Sequence, residues 1–390
     1  MKIAFIGQKG IPVSSGGVER RVQELATRMA KLGHEVFVYA RKNYASELIS
    51  EYKGVKIIYL PCVETKNLGA ITHTLIASLH AIFQKYDIVH YQAPGPSSLC
   101  WIMKLFNPST GLVATFNSRD EKHQKWGRIA RAYLRFGEFV INKVPDRTIS
   151  VSKLIKEHSR EKYGNEHITV IHNGSAIMPT NETDELDKWD LEKNHYFLTV
   201  ARLVRHKGIH YLIEAFKSAK KKHALPENLK LAIVGDSAYT DDYVTYLKKI
   251  AEADADIIFT GSQSGASLAQ LYANAFAFVL PSEAEGLSNV LLEAMGYGLA
   301  PIISSIPENT IVVEDNGLTF ENSNASDLEK MLILAASNPE NTKRLGLLAK
   351  QSVEKNYSWD ENVSRTLKLY SALLQEKNSR RFIFQRKRLS

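Results

Sequence analysis

Short runs of β-branched and aromatic residues alternate with helix-length segments along most of the chain, and the alternation starts twice. The first series comprises residues 2–6, 36–39, 56–60, 87–91, 112–116, 148–151 and 168–171. After a polar, acidic stretch it restarts with 196–200, 229–234, 257–260, 276–280 and 301–303. Strands joined through helices close into parallel sheets covered on both faces, so each series predicts a doubly wound α/β domain. The expected boundaries are 1–174 for the first domain and 195–358 for the second. Residues 175–194, with Pro179 and six acidic residues but no sustained helical period, are expected to be a linker. Val363, Leu367, Tyr370 and Leu374 recur at helical spacing and predict an amphipathic closing helix over 359–376, followed by a basic tail, 377–390.

A length of 390 residues with 44% hydrophobic and 24% charged residues supports two buried cores and excludes wholesale disorder. The two cysteines, Cys62 and Cys100, exclude a disulfide framework and a multi-cysteine zinc site, as expected of a cytoplasmic chain. No apolar run reaches the roughly 18 residues that span a bilayer, so a soluble protein is expected. The net charge of +8 lies largely beyond the last acidic residue, Glu376, where Lys377, Arg380, Arg381, Arg386, Lys387 and Arg388 follow. Such a tail suits an anionic surface, membrane or nucleic acid, or a solvated end, and charge alone does not choose between them; the expectation is a cytoplasmic protein, with a peripheral position on the inner face of the plasma membrane open to it.

In open parallel sheets ligands bind beyond the carboxyl ends of the strands, so the informative residues follow each strand. The first loop carries Gly7, Gly10, Gly16 and Gly17 before a helix, and glycines there let backbone amides approach a phosphate. A dinucleotide site would need G-x-G-x-x-G and a later acidic residue. Neither is present, and Arg41-Lys42 follows the second strand. An NADP site could use that arginine, but the glycine fingerprint it requires is missing. In the second half, Arg202, Lys207 and the helix-opening Gly208 follow a strand end, an arrangement suited to a diphosphate. Further on, Glu285 and Glu293 bracket seven residues where the chain leaves a strand and enters a helix expected to start near Gly286. Carboxylates there suit sugar hydroxyls better than a diphosphate. Asp254 and Asp256 have D-x-D spacing but precede a strand, and His206 and His210 lack a third ligand, so no metal requirement is expected. No nucleophile-and-base motif is recognisable.

At these residues the chain resembles the retaining GT-B glycosyltransferases of family 4. The resemblance runs nearly end to end and rests on Gly16-Gly17, on Val170-Ile171-His172-Asn173-Gly174, on Arg202 through Lys207, and on the Glu285/Glu293 pair. The opening, with Gly16-Gly17-Val18-Glu19 and Gly33-His34-Glu35-Val36, looks most like a rhamnosyltransferase-type N-terminal domain. The resemblance implies two Rossmann-like domains facing across a cleft, the first holding the acceptor and the second the nucleoside-diphosphate sugar, with no separate cofactor. It implies that Arg202 and Lys207 bind the donor diphosphate, that Glu293 holds the nucleotide ribose and that Glu285 contacts the sugar. The amides of Gly286, Leu287, Ser288, Asn289 and Val290 would surround sugar and phosphates, with Gly16 and Gly17 opposite. Two departures stand out. Asn117-Ser118 replaces the His or Asp followed by Gly of many relatives, and Ser304-Ser305 replaces the usual Gly-Gly before Pro307-Glu308.

Retaining transfer to a glycan or lipid-linked acceptor in cell-surface polysaccharide synthesis is therefore expected. A nucleotide-sugar epimerase or a non-catalytic nucleotide-sugar-binding protein would use the same residues. On the acceptor side, Arg119, Lys122, Lys125, Arg128, Arg131 and Arg135 interleave with Trp126 and Tyr133. A basic, aromatic stretch of this kind suits an anionic leaflet, and a lipid-linked acceptor would suit both. Nucleic acid is not an expected partner, since no recognised binding module accompanies the charge.

Overall fold

The structure, a computed structural model, describes residues 1–13, 16–44, 47–65, 68–118, 127–238, 240–252 and 254–389, with side chains through Ser379. The chain forms two compact units. One contains Met1–Asn173 and the chain from Trp359 onward; the other is Gly174–Ser358.

The first unit is built on strands β1 (Lys2–Ile6), β2 (Glu35–Arg41), β3 (Glu51–Tyr52), β4 (Val55–Leu60), β5 (Ile88–Gln92), β6 (Gly111–Phe116), β7 (Arg147–Ser150) and β8 (Ile168–Val170). Their order in the sheet is β3-β4-β2-β1-β5-β6-β7-β8, parallel except for the short edge strand β3. Ile3, Ala4, Phe5 and Ile6 are all fully buried, as a central strand covered on both faces requires. The helix Gly17–Lys31 buries Val22, Leu25, Ala26 and Met29, one stripe at helical spacing.

The second unit carries β9 (Tyr196–Val200), β10 (Lys230–Val234), β11 (Ile257–Gly261), β12 (Ala277–Leu280), β13 (Pro301–Ser304) and β14 (Leu318–Phe320), in the order β11-β10-β9-β12-β13-β14. Its core gathers Phe197, Phe216, Ile233, Val279 and Ile302 between the sheet and its helices. In each unit the strand order reverses once beside the first strand, between β1 and β5 and between β9 and β12. Those reversals open the crevices where doubly wound sheets bind ligands.

Two organisational expectations are corrected. Residues 175–194 are part of the second unit instead of a linker: Leu186 in the 3-10 helix Asp184–Trp189 is buried, and Gln270 donates to Asp184 Oδ1 (2.7 Å) while its Oε1 accepts from the Glu185 amide (2.8 Å). The acidic composition hid these two hydrogen bonds. The closing helix does not end at 376 but runs Trp359–Leu389, since no glycine or proline interrupts it. It also belongs to the first unit. Tyr370 shares a hydrogen bond with His90 Nδ1 (2.6 Å), Arg28 pairs with Asp360 (3.0 Å), and Arg365 donates to the Val170 carbonyl (2.6 Å). The His90 ring is fully buried, and desolvation, with the nearby Arg21 charge, holds its pKa well below the ordinary value.

Candidate functional site

The crevice between β9 and β12 is walled by the loops that follow those strands. After β9 the chain passes exposed Arg202, makes one 3-10 turn, Arg205–Lys207, and enters the helix Ile209–Lys221 at Gly208. After β12 it passes Glu283, Glu285 and Gly286 and enters the helix Asn289–Tyr297. Lys207 Nζ lies 2.5 Å from Glu285 Oε1, with side chains only 13% and 9% exposed, so the two loops are joined by a largely desolvated ion pair. The Glu283 amide donates to the His206 carbonyl at 2.8 Å, and Tyr211 OH donates to Glu283 Oε1 at 3.0 Å. Gly208 sits at φ +67°, and a Cβ there would lie 2.0 Å from the Pro281 carbonyl oxygen. Only glycine permits so close an approach of the two loops.

The helix expected near Gly286 begins later. Ser288 is its N-cap in extended conformation and Asn289 its first residue, so Gly286 and buried Leu287 lie in the preceding loop. Leu287 is buried in a bend of the loop, and the extended Ser288 after it delays the start of the helix. Val290 and half-buried Glu293 lie on the helix, Glu293 one turn beyond Asn289. Lys207 and Glu285 are thus brought into contact, with Arg202 on the same loop as Lys207.

Gly16 and Gly17 belong to the first unit. Gly16, at φ +107°, caps the helix Gly17–Lys31, and the Glu19 carboxylate lies against it, accepting also from the Lys9 amide (2.9 Å). The loop is therefore closed by its own helix. Asn117 Nδ2 donates to the Thr115 carbonyl (3.5 Å). Ser305 is held by backbone bonding to Phe320 and accepts from the Asn322 amide (3.1 Å). Asp254 accepts from the Asp256 amide (2.9 Å) and Asp256 pairs with Lys220 (2.7 Å), so both carboxylates bond within the fold.

The structure adds groups the sequence reading passed over. The hydroxyls of Thr199, at the end of β9, and Ser282, after β12, are buried without a hydrogen-bond partner among the described residues. The Ser282 carbonyl accepts from Ser304 Oγ at 2.5 Å. Small hydroxyl residues at strand ends are the one sequence signal that could have marked them. His210 Nδ1 shares a 2.8 Å hydrogen bond with Tyr243 OH, and burial, aided by the Arg205 charge, pushes its pKa down to about 4.

Two doubly wound units of this kind are the architecture of the GT-B fold. The chain matches the family Glycosyltransferase Family 4 over residues 15–175 and the family Glycosyl transferases group 1 over residues 181–352, and it belongs to these group 1, family-4-like glycosyltransferases. A glycosyltransferase of Haemophilus influenzae is 27% identical over 342 residues, covering 84% of this chain and 88% of the relative. Among solved structures, sucrose-phosphate synthase of Thermosynechococcus elongatus superposes with a TM-score of 0.81 at 20% identity, over 96% of this chain and 99% of that one. HepE of Anabaena, solved in complex with UDP and glucose, gives 0.79 at 19% identity, over 95% of this chain and all of that one.

Proposed function

We propose that this glycosyltransferase takes a sugar from a nucleoside-diphosphate sugar and transfers it, with retention of anomeric configuration, to a glycan or lipid-linked acceptor in cell-surface polysaccharide synthesis. The observation that carries the donor reading is the Lys207–Glu285 pair at the strand-order reversal of the second unit, with Arg202 on the same loop. A donor diphosphate placed against Arg202 and Lys207 leaves with the one negative charge it gains offset as the glycosidic bond lengthens. Glu285, already bonded to Lys207, keeps that ammonium oriented while its second oxygen accepts from a sugar hydroxyl. Glu293 takes the ribose hydroxyls, and the amides of Gly286, Leu287, Ser288, Asn289 and Val290 surround the phosphates. Gly16 and Gly17 complete the donor-binding set. HepE, whose structure contains UDP and glucose, supports a nucleotide-linked donor of this kind. The opening residues support a rhamnosyltransferase-like first unit, which makes dTDP-rhamnose a donor to test beside UDP- and GDP-sugars.

The test is incubation with these donors and a bacterial lipid extract. Nucleoside diphosphate released only when acceptor is present, with a product anomer matching the donor, supports the reading. Isomerised free nucleotide sugar instead would assign an epimerase, and binding with no turnover would assign a sugar-nucleotide receptor.

A further inference from the structure

The first unit exposes more apolar surface than its own packing explains. On the helix Gly69–Ile82 and the residue after it, Leu75, Leu79 and Phe83 recur every four residues and lie on the solvent side, Phe83 being 79% exposed. The short helix Trp101–Phe106 packs beside it and exposes Trp101, Leu105 and Phe106, the last two by 64% and 61%. Asn107 Nδ2 reaches the Ile82 carbonyl at 3.4 Å, which brings the ends of the two helices together and makes their exposed residues one patch. Contiguous apolar surface of this kind marks an interaction site.

The same patch abuts the start of the strongly basic helix. Lys377 donates to the Pro108 carbonyl (2.9 Å) and pairs with Asp146 (2.8 Å), and Asp146 also holds Lys104 of the short apolar helix. Two residues after Lys377 is Ser379, and from there the helical backbone continues to Leu389 through Arg380, Arg381, Arg386, Lys387 and Arg388 without an acidic residue. From these contacts we infer that this end of the first unit docks on an anionic lipid leaflet, the apolar helices entering the headgroup boundary and the basic helix lying against the charged surface. The patch lies at the amino ends of β5 and β6, away from the carboxyl-end crevice, so the inference goes beyond the proposed transfer and stands on these contacts. A second copy of the chain is the weaker occupant, because pairing two such ends would bring like charge to like charge, whereas a leaflet supplies apolar depth and opposite charge together. Trp101 at the patch also suits the interfacial level, where indoles concentrate. The basic stretch around Arg119, Lys122, Lys125 and Trp126, expected to serve this role, falls in 119–126, outside the described residues; Arg128, Arg131 and Arg135 are exposed on the helix Arg128–Lys143.

Co-sedimentation of the full chain with vesicles tests the inference. Wild type is expected to bind phosphatidylglycerol/phosphatidylcholine (1:1) vesicles at least tenfold more tightly than pure phosphatidylcholine, and to lose binding as salt rises. L105E/F106E and R380E/R381E/R386E are each expected to lower that binding at least tenfold while keeping the wild-type melting temperature and its shift with added UDP. Wild type that fails to bind, equal binding to both vesicle types, or variants that bind within twofold of wild type overturn the inference. So does light scattering in which L105E/F106E converts a dimer to a monomer with vesicle binding intact. Failure of UDP or any sugar nucleotide to shift melting would instead sink the donor reading and leave the vesicle result standing.

Discussion

Lys207 and Glu285 are separated by 78 residues in the chain and by 2.5 Å in the fold, and each is mostly withdrawn from water. Removing the ammonium therefore does two things at once. Lys207→Ala is expected to lower kcat/KM by about 2–4 kcal/mol of transition-state stabilisation, roughly 30- to 1,000-fold, in the acceptor-dependent release assay. It should also destabilise the second unit by about 1–3 kcal/mol, read by urea titration, because Glu285 is left without its counter-ion in a site only partly open to water. Arg202→Ala should cost activity in the same range with little change in stability, since Arg202 is exposed and forms no ion pair among the described residues. Unchanged initial rates in both variants would remove the diphosphate role. His210 gives a pH signature. Its folded-state pKa is about 4, so between pH 6.5 and 4 the unfolded chain takes up a proton that the folded chain does not, and stability falls as pH falls across that window. The loss attributable to this one residue is roughly 3 kcal/mol at the acid end. His210→Asn, which keeps a side-chain nitrogen near the Tyr243 hydroxyl and carries no titrating group, should lessen the fall in melting temperature of the second unit's transition between pH 6.5 and 4, leaving the share of buried His90 in the first unit; an unchanged slope would assign the second unit's acid sensitivity elsewhere. Charged residues at strand ends are legible in a sequence because few other roles call for them there. Their mutual bond is not, since the pairing is made by strand order and not by spacing.

Among the elements, alternation alone located nearly every strand within one or two residues. It passed over β3, two residues long and antiparallel at an edge, and β14, whose Leu318–Phe320 is too short for a pattern. The start of the helix Asn289–Tyr297 lies three residues beyond the glycine at 286 that reads as a helix opening, because the chain bends at Gly286 and buried Leu287 and is extended at Ser288 before the helix begins. Gly208 is the element-scale residue with most at stake. Ala at 208 would be strained at φ +67° and would overlap the Pro281 carbonyl, so Gly208→Ala is expected to destabilise by about 2–4 kcal/mol. It should push the loop carrying Lys207 away from that carrying Glu285, so activity falls further than stability alone explains at temperatures where the variant is fully folded. Retention of full activity and a wild-type urea midpoint would show that the loops are free to part.

At the scale of the whole chain, the two-domain plan follows from a repeated alternation, and the amphipathic stripe of the last helix is visible from Val363 to Leu374. Which unit that helix completes is not visible, because an apolar stripe states that a surface is needed and not whose. The answer lies in single contacts, Tyr370 on His90 and Arg365 on the Val170 carbonyl. A chain ended at Ser358 should therefore lose the calorimetric transition of the first unit, where His90 and its neighbours become exposed, while the second unit, Gly174–Ser358, keeps its own. Loss of the second transition instead would reassign the helix.

That arrangement also orders events at the ribosome. The unit begun first is finished last. At synthesis rates of 5–20 residues per second, the sheet of Met1–Asn173 waits about 10–40 s for Trp359 and Tyr370 to be made, an interval in which all of Gly174–Ser358 has emerged. During that wait the surface on His90 that Tyr370 will cover stands open in the nascent chain, so holdase chaperones have their binding window on the amino-terminal half, and a message truncated just after codon 358 yields a protein whose later half is whole and whose earlier half is not.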